Sequence, residues 1–188
     1  LRECRSKDCR KLLDAVLQRE SPQEVETMLK EFLARATDHS LVNRDLVRID
    51  SVSRSKEEAL RELVNILHLA GRVDDADRVE DAIWQREEAY STGVGFGVAI
   101  PHCKSANVLA NSIAVLKLRH GIEWNSLDNQ PVELVILIVI KGDKAGEEHL
   151  KMIASLSRKL MDEEFRRTMM SANEETALLG FVKSALKQ

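Results

Sequence analysis

The sequence predicts an α/β fold in which a β-sheet is covered by helices on both faces. Three observations favour this class. Apolar residues make up 44% of the 188 residues and charged residues 31%, which is typical of a globular chain with a proper core. Helix start and stop signals alternate with short apolar segments along most of the chain. The segment from Val132 to Ile140 is almost continuously apolar, as expected for a strand buried on both faces.

The first 40 residues are predicted to form a helical hairpin. Residues 6–19 have a helical apolar pattern, and Ser21-Pro22-Gln23-Glu24 is a helix start with a capping serine and a first-turn proline. One face of the second helix is apolar at helical spacing: Val25, Met28, Leu29, Phe32 and Leu33. Two such helices are too small to bury their own core, so we expect them to pack against another domain or a partner. Residues 37–43 have the character of a linker.

The second domain is predicted to begin at about Asp45. A capping box at Ser55-Lys56-Glu57-Glu58 starts a helix that Gly71 ends. The next helix covers residues 75–90, and its apolar stripe comprises Val79, Ile83 and Tyr90. Strands are expected at 46–49, 98–100, 112–119 and 132–140. Further helices are expected at about 147–161, 163–171 and 174–187. Asp74, Asp75 and Asp77 precede or open a helix, so capping explains them better than catalysis.

Composition and charge exclude several classes of function. The net charge is −3 and aromatic residues are 4% of the chain, which argues against a general nucleic-acid binder. The longest apolar run is about half of what a membrane-spanning helix needs, and no segment resembles a signal peptide. The three cysteines, Cys4, Cys9 and Cys103, lack the spacing of a disulfide framework. We therefore expect a cytoplasmic protein with reduced thiols.

The stretch STGVGFGVAIPHCK, residues 91–104, leads through three glycines and a proline to one histidine. Gly93, Gly95 and Gly97 can adopt backbone angles closed to other residues and permit close approach of another molecule. Pro101 fixes the backbone immediately before His102, which we expect to be presented at a strand end. A simple tight turn explains the same residues. A dinucleotide-binding fingerprint does not, because these glycines precede a strand instead of opening a helix.

Two further residues are candidates for the same site. His149 lies in the first turn of a predicted helix and heads its buried stripe, where the helix dipole favours a neutral imidazole and an anion can bind. An ordinary core histidine remains open as an alternative for His149. Arg86 continues the stripe of Val79 and Ile83, and an inward guanidinium usually binds a carboxylate or a phosphate.

The neighbouring polar residues carry weaker signals. Glu87 and Glu88 lie off the apolar stripe and are predicted to be solvated. Cys103 adjoins His102, but neighbours in an extended segment point to opposite sides, so they make a poor nucleophile–base pair. Two histidines without a carboxylate at ligand spacing do not indicate a metal site. The remaining histidines are interpreted as surface or packing residues: His39, His68 and His120.

Two blocks of sequence resemble one known family. REEAYSTGVGFGVAIPHCK, followed by EEHLKMIASLSRKL, is similar to the IIA domain of the fructose/mannitol class of the bacterial phosphoenolpyruvate-dependent sugar phosphotransferase system. The resemblance covers residues 45–188 and implies a central mixed β-sheet flanked by helices on both faces. Phe96 stands where the family often has asparagine, and Cys103 where it often has glycine.

The resemblance implies a role for each candidate residue. His102 is similar to the family's phosphorylated histidine, His149 to its second active-site histidine, and Arg86 to the arginine that helps bind the phosphoryl group. The resemblance also implies that the pocket is formed by the motif residues Thr92, Gly93, Gly95, Gly97 and Pro101. The implied reaction takes a phosphoryl group from the carrier protein HPr, or an HPr-like domain, and passes it to a cysteine of a IIB domain. The membrane IIC partner is involved only indirectly, and no cofactor or metal is expected.

Two alternative functions remain open at this point. One is a regulatory relative whose phosphorylation state controls a partner protein. The other is a binding module that keeps the fold without the transfer chemistry, which the joint presence of His102, His149 and Arg86 argues against.

The amino-terminal hairpin resembles a different module of the same system. SKDCRKLLDAVLQRESPQEVETMLKEF is similar to the carboxyl-terminal helices of Enzyme I. Fused multiphosphoryl transfer proteins contain such a junction. The two resemblances together predict the carboxyl-terminal part of such a fusion, with residues 1–40 belonging to the Enzyme I-like module.

Overall fold

The structure is a computed structural model that describes residues 13–17, 21–36, 40–142, 154–156 and 158–186. The chain divides into two compact units, residues 1–40 and 41–188. In the first unit, residues 13–16 are helical and α1 spans Pro22–Ala36. Leu13 and Leu17 are exposed.

The second unit begins with a short 3₁₀ turn, Arg44–Leu46, which leads into β1, Val47–Ser51. Helix α2 spans Lys56–Leu69 and is capped by Ser55, whose hydroxyl accepts a hydrogen bond from the Glu58 amide. Gly71, at a φ of +73°, ends it, as predicted. Helix α3 spans Ala76–Ala89, and the Asp75 side chain caps it.

Five more strands and two more helices complete this unit in the described part of the chain. The strands are β2, Gly93–Gly95; β3, Val98–Ala99; β4, His102–Ser105; β5, Ser112–Ile122; and β6, Val132–Lys141. The helices are α4, Glu163–Ser171, and α5, Glu175–Leu186. Residues 154–156 and 158–160 are also helical, within the helix predicted over 147–161. The sequence did not predict β2 or β4.

The sheet is mixed, with strand order β1-β5-β6-β3-β2 and with β4 also paired to β6. Strand β1 runs parallel to β5, β5 antiparallel to β6, and both β3 and β4 parallel to β6. A two-residue break at Ile100–Pro101 therefore separates two short strands that follow the same edge of β6. The predicted central mixed sheet is confirmed.

Alternate residues of the central strands feed two separate cores, so helices cover both faces. On β6, Val135 and Leu137 join the cluster that includes α2 and α3. Their neighbours Leu134 and Ile136 join the cluster that includes α4, α5 and the helical residues near 156–160. This period of two explains the nearly continuous apolar run, because each face of β6 meets a hydrophobic layer.

Candidate functional site

His102 is the first residue of β4 and is held on the edge of the most buried strand. It pairs with Ile138 of β6, and the carbonyl of Pro101 accepts a hydrogen bond from the Ile138 amide at 3.0 Å. Pro101 has no amide hydrogen, so the strand is interrupted immediately before the histidine. The His102 side chain is half-buried, whereas Cys103, which points to the opposite side, is buried. The predicted opposite orientation of these neighbours is confirmed.

The two ring nitrogens of His102 have different partners. Nδ1 lies 3.0 Å from the carbonyl oxygen of Ile100, and Nε2 lies 3.0 Å from the Nε of Arg86. A carbonyl can only accept and a guanidinium can only donate, so the neutral ring carries its proton on Nδ1 and its lone pair on Nε2. The environment thus selects a tautomer whose Nε2 is a potential nucleophile.

The environment also favours the neutral ring. Burial lowers the pKa of His102 below its ordinary value of 6.5, and the charge of Arg86 lowers it further. The hydrogen bond to Ile100 and the negative charge of Glu87 raise the pKa, without reversing the direction of the shift. The His102 ring is therefore neutral at neutral pH, and its Nε2 lone pair accepts the hydrogen bond from Arg86.

Arg86 is anchored at the end of its helix. It lies in the last turn of α3, and its Nη1 donates a hydrogen bond to the Tyr90 carbonyl at 2.9 Å. This bond satisfies a carbonyl at the helix terminus and fixes the guanidinium beside His102. The expectation that Tyr90 extends the apolar stripe is wrong: the chain leaves the helix here in an extended conformation, and Tyr90 is 80% exposed.

The glycines shape the hairpin formed by β2 and β3. Gly95 and Gly97 have φ angles of +89° and +74° on either side of Phe96, which itself has a φ of +57°. The Phe96 amide donates to the Asp128 carboxylate at 2.7 Å, and the Arg166 guanidinium lies 4.0 Å from the Phe96 ring centroid. Phe96 is 51% exposed, so the hairpin displays an aromatic ring in a conformation that side chains rarely adopt.

Gly93 has a steric role. A Cβ added there would lie 2.6 Å from the Oγ and 2.8 Å from the Cα of Ser126. The preceding residue, Thr92, is buried, and its carbonyl accepts the Ile100 amide at 2.9 Å. The motif therefore packs tightly against the loop before β6. Thr92 is also hydrogen-bonded to Ile100, whose carbonyl contacts the His102 ring.

The prediction that Glu87 is solvated is wrong. Its side chain is only 3% exposed, and its carboxylate accepts hydrogen bonds from the Thr92 amide at 3.1 and 3.2 Å and from the Thr92 hydroxyl. Lys56 Nζ lies 2.9 Å from Glu87 Oε1. Glu88 is exposed, as predicted. Glu87 follows Val79 and Ile83 at i+8 and i+4, so it lies on the buried stripe from which the prediction had excluded it.

One sequence signal does point to this ion pair. Lys56 lies in the first turn of α2 and Glu87 in the last turn of α3. Each charge opposes the helix dipole at its own position, where the opposite sign is normally preferred. Two such violations indicate specific partners, and here each residue compensates the other.

Other predicted residues lie outside this cluster or outside the described residues. His149 and His39 lie outside the described residues. His68 and His120 are exposed. Burial raises the pKa of the Cys103 thiol to about 12, which disfavours the thiolate.

Across the described ranges, no group of three His, Cys, Asp or Glu side chains is arranged to bind a metal ion. None of the helices in those ranges combines the length and hydrophobicity required to cross a bilayer.

Comparison with protein families identifies a match over most of the chain. The model of the family described as "Phosphoenolpyruvate-dependent sugar phosphotransferase system, EIIA 2" matches residues 40–185. This range contains every residue of the cluster described above.

Two curated relatives extend the match. "Multiphosphoryl transfer protein 2" of Escherichia coli (strain K12) is 32% identical over 182 residues, which cover 97% of this chain and 22% of the relative. The chain thus spans about a fifth of that protein's length. The "PTS system fructose-specific EIIA component" of Haloferax volcanii is 35% identical over 131 residues, 70% of this chain and 84% of the relative.

Solved structures share the fold. Nitrogen regulatory protein IIA-Ntr from Neisseria meningitidis has a TM-score of 0.72 and 24% identity, covering 77% of this chain and 97% of that chain. Mannitol enzyme IIA from Escherichia coli, solved in complex with phosphorylated enzyme IIB, has a TM-score of 0.64 and 21% identity, covering 76% and 97%.

Proposed function

The chain belongs to the EIIA 2 family of the phosphoenolpyruvate-dependent sugar phosphotransferase system, and we propose that it is a phosphoryl carrier of that system, with the phosphoryl group carried on Nε2 of His102. The observation that carries this proposal is the pair of contacts to the ring. Ile100 accepts at Nδ1 and Arg86 donates at Nε2, which leaves a neutral nucleophile beside a cation that can stabilise the negative charge of the phosphoryl group.

The donor in this proposal is a phosphohistidine of HPr or of an HPr-like domain. As the Arg86 N–H turns from Nε2 to a phosphoryl oxygen, the Nε2 lone pair of His102 attacks phosphorus while the donor's phosphorus–nitrogen bond breaks, and the donor ring keeps the bonding electrons. In-line geometry and charge stabilisation provide most of the catalysis in such a transfer. In this proposal the guanidinium of Arg86 stays close to the phosphoryl oxygens and balances their negative charge, so the transfer needs no metal ion.

The acceptor in this proposal is a cysteine thiolate of a IIB domain. The Nδ1 proton remains on His102 because Ile100 offers only a carbonyl, so the phosphorylated ring is positively charged and becomes a good leaving group. Attack by the thiolate breaks the Nε2–P bond and returns the lone pair to Nε2. No proton has to be transferred in either direction. Support for this acceptor comes from the mannitol IIA neighbour, which forms a complex with phosphorylated IIB.

On the basis of the sequence resemblance, we propose His149 as a further residue of the site. In its proposed role, an imidazole N–H donates a hydrogen bond to a phosphoryl oxygen without holding the group as tightly as a fixed charge would. The pocket-forming residues of the proposal are Thr92, Gly93, Gly95, Gly97 and Pro101.

We further propose a fructose-like sugar or hexitol as the final acceptor and a cytoplasmic location. The fructose-specific relative supports the sugar class. This relative, named as a fructose-specific component of the PTS system, favours a carrier over a regulatory protein. The alignment with a multiphosphoryl transfer protein includes the first unit as well as the second, which supports placing residues 1–40 in an Enzyme I-like module.

Reconstitution tests the proposal. The protein is mixed with phosphoenolpyruvate, Enzyme I and HPr, and a phosphoryl adduct that is labile in acid and stable in base is expected. His102→Ala abolishes it, whereas His68→Ala and His120→Ala, at exposed histidines, retain it. His149→Ala is expected to permit loading but to slow transfer to IIB. Labelling that survives His102→Ala would refute the assignment.

A further inference from the structure

Arg86 and Glu87, adjacent residues at the end of α3, reach opposite edges of the His102 ring. Arg86 contacts Nε2 directly, at 3.0 Å. Glu87 reaches Nδ1 through the backbone. Its carboxylate binds the Thr92 amide and hydroxyl, the Thr92 carbonyl accepts the Ile100 amide at 2.9 Å, and the Ile100 carbonyl lies 3.0 Å from Nδ1. Three hydrogen bonds, joined through the backbone of Thr92 and Ile100, thus connect a buried carboxylate to the ring.

The Glu87 carboxylate is enclosed by a compact group of partners. Lys56 Nζ lies 2.9 Å from it and 5.2 Å from the centroid of the Trp124 ring. Trp124 Nε1 donates to the Thr92 hydroxyl at 3.3 Å, and the Trp124 carbonyl accepts the Ser91 hydroxyl at 2.9 Å. These contacts fix Ser91 and Thr92, immediately before the glycine hairpin.

Net stabilisation is a poor explanation for this ion pair. Removing two charges from water costs several kcal/mol per ion, and a pair of apolar residues is often as stable or more stable. Buried polar networks instead specify one arrangement of the groups that they bind. The arrangement specified here is that of the segment that presents the Ile100 carbonyl.

We propose that Glu87, with Lys56 as its counter-ion, is a positioning residue for His102: it fixes Thr92 and Ile100 so that Nδ1 keeps its proton and Nε2 keeps its lone pair. This inference rests on the proposed role of His102 as the phosphoryl acceptor. Without Glu87, the Thr92 amide and hydroxyl lose their common acceptor and the Ile100 carbonyl is no longer held against Nδ1. A ring protonated on Nε2 cannot attack phosphorus.

Electrostatics act in the same direction. The negative charge of Glu87 raises the pKa of His102, which means that it favours the positively charged ring. The phosphorylated ring with a proton on Nδ1 carries the same positive charge. Glu87 therefore favours both the tautomer that accepts the phosphoryl group and the charged ring that releases it.

The primary test is Glu87→Gln, which preserves shape and one acceptor oxygen but removes the charge that Lys56 neutralises. We expect the loading rate at saturating phospho-HPr to fall about tenfold or more. This is the usual loss when a residue that orients a functional side chain through hydrogen bonds is replaced. The KM for phospho-HPr stays unchanged, because the buried Glu87 is not part of the exposed surface. The ¹⁵N spectrum of His102 changes from the Nδ1–H tautomer to a mixture. The matched control is Glu88→Gln, at the exposed neighbour, which leaves rate and spectrum unchanged.

A second variant separates positioning from packing. When both ions are replaced by methionine, Lys56→Met with Glu87→Met, we expect the protein to keep a cooperative thermal transition like that of the wild type. Loading remains slow, because methionine does not provide the paired oxygens that the Thr92 amide and hydroxyl require. If Glu87→Gln does not fold, this double variant and Thr92→Val, which removes the hydroxyl, provide the same measurement.

The results distinguish a failure of the proposed function from a failure of the positioning role of Glu87. Wild-type labelling that persists in His102→Ala contradicts the proposed function itself. Labelling that requires His102, combined with wild-type loading by Glu87→Gln or by the double methionine variant, overturns the positioning role alone. A wild-type spectrum showing the proton on Nε2 also overturns it.

Discussion

The carbonyl oxygen of Ile100 lies 3.0 Å from Nδ1 of His102, across a single proline. This contact is local in sequence, because two residues of backbone bring the acceptor to the ring. The contact at Nε2 is not local, since Arg86 comes from the end of a helix sixteen positions earlier. The segment between β3 and β4 thus contacts Nδ1, and helix α3 provides the charge beside Nε2.

Arg86 is expected to contribute to the rate of loading. Arg86→Gln keeps a donor of similar length but removes the positive charge beside Nε2. We expect the loading rate to fall by roughly 10²–10³-fold, the typical loss when one preorganised donor to a developing anion is removed. Rapid-quench measurement of phosphoryl transfer from phospho-HPr provides the rate.

The control for this change is Arg61→Gln. Arg61 is an exposed arginine on α2 that pairs with Glu57 and Glu80, so its loss leaves the loading rate unchanged. A wild-type rate for Arg86→Gln would contradict the proposed role of the guanidinium.

The loading rate is expected to stay level from pH 8 to pH 7 and to reach half its maximum only below the ordinary histidine pKa of 6.5. Burial disfavours the imidazolium, so the pKa of His102 is lowered and the neutral, nucleophilic form persists to lower pH. The rate declines only as the pH falls through the pKa of His102 in the folded protein. Histidine titration by NMR, alongside the pH–rate profile, checks this expectation; a rate that already falls between pH 8 and pH 7 would contradict it.

Gly93→Ala is expected to destabilise the protein by about 1–3 kcal/mol, the usual cost of adding a methyl group to a packed site. The new Cβ would overlap Ser126, including its backbone, so a side-chain rotation alone does not relieve the contact. Urea unfolding of the two proteins measures the difference.

Gly180→Ala is the matched comparison, because Gly180 lies within α5 and a Cβ there meets nothing within 4 Å. Alanine is the better helix former by about 1 kcal/mol, so this variant is expected to be more stable than the wild type. Equal effects of the two substitutions would contradict the steric role of Gly93.

Local sequence rules predicted the elements whose signals are local. Ser55 and Asp75 cap α2 and α3, and the apolar run at Val132 became the central strand. The strands β2 and β4 were missed because they are three and four residues long and contain glycine or polar side chains. Their pairing with neighbouring strands defines them, and no local pattern encodes that pairing.

The same limit applies to the candidate site. The motif around His102 and the stripe that includes Arg86 were visible along the chain. Glu87 follows Val79 and Ile83 at helical spacing, so its buried position was visible in the sequence and was misjudged. Its partners could not be predicted locally, because Lys56 lies thirty-one positions earlier and Thr92 lies beyond the end of the helix. The predicted convergence of His149 with His102 stays a prediction.

The break at Pro101 leaves β3 and β4 attached to the same central strand, with Ala99 beside Val135 and His102 beside Ile138. The His102 ring is therefore mounted on a strand that is hydrogen-bonded to the central strand, and not on a loop. In the proposed function, the donor and the acceptor both meet a ring whose backbone is held by this pairing. We therefore expect the choice between them to depend on their own surfaces and on the charge that each brings to the ring.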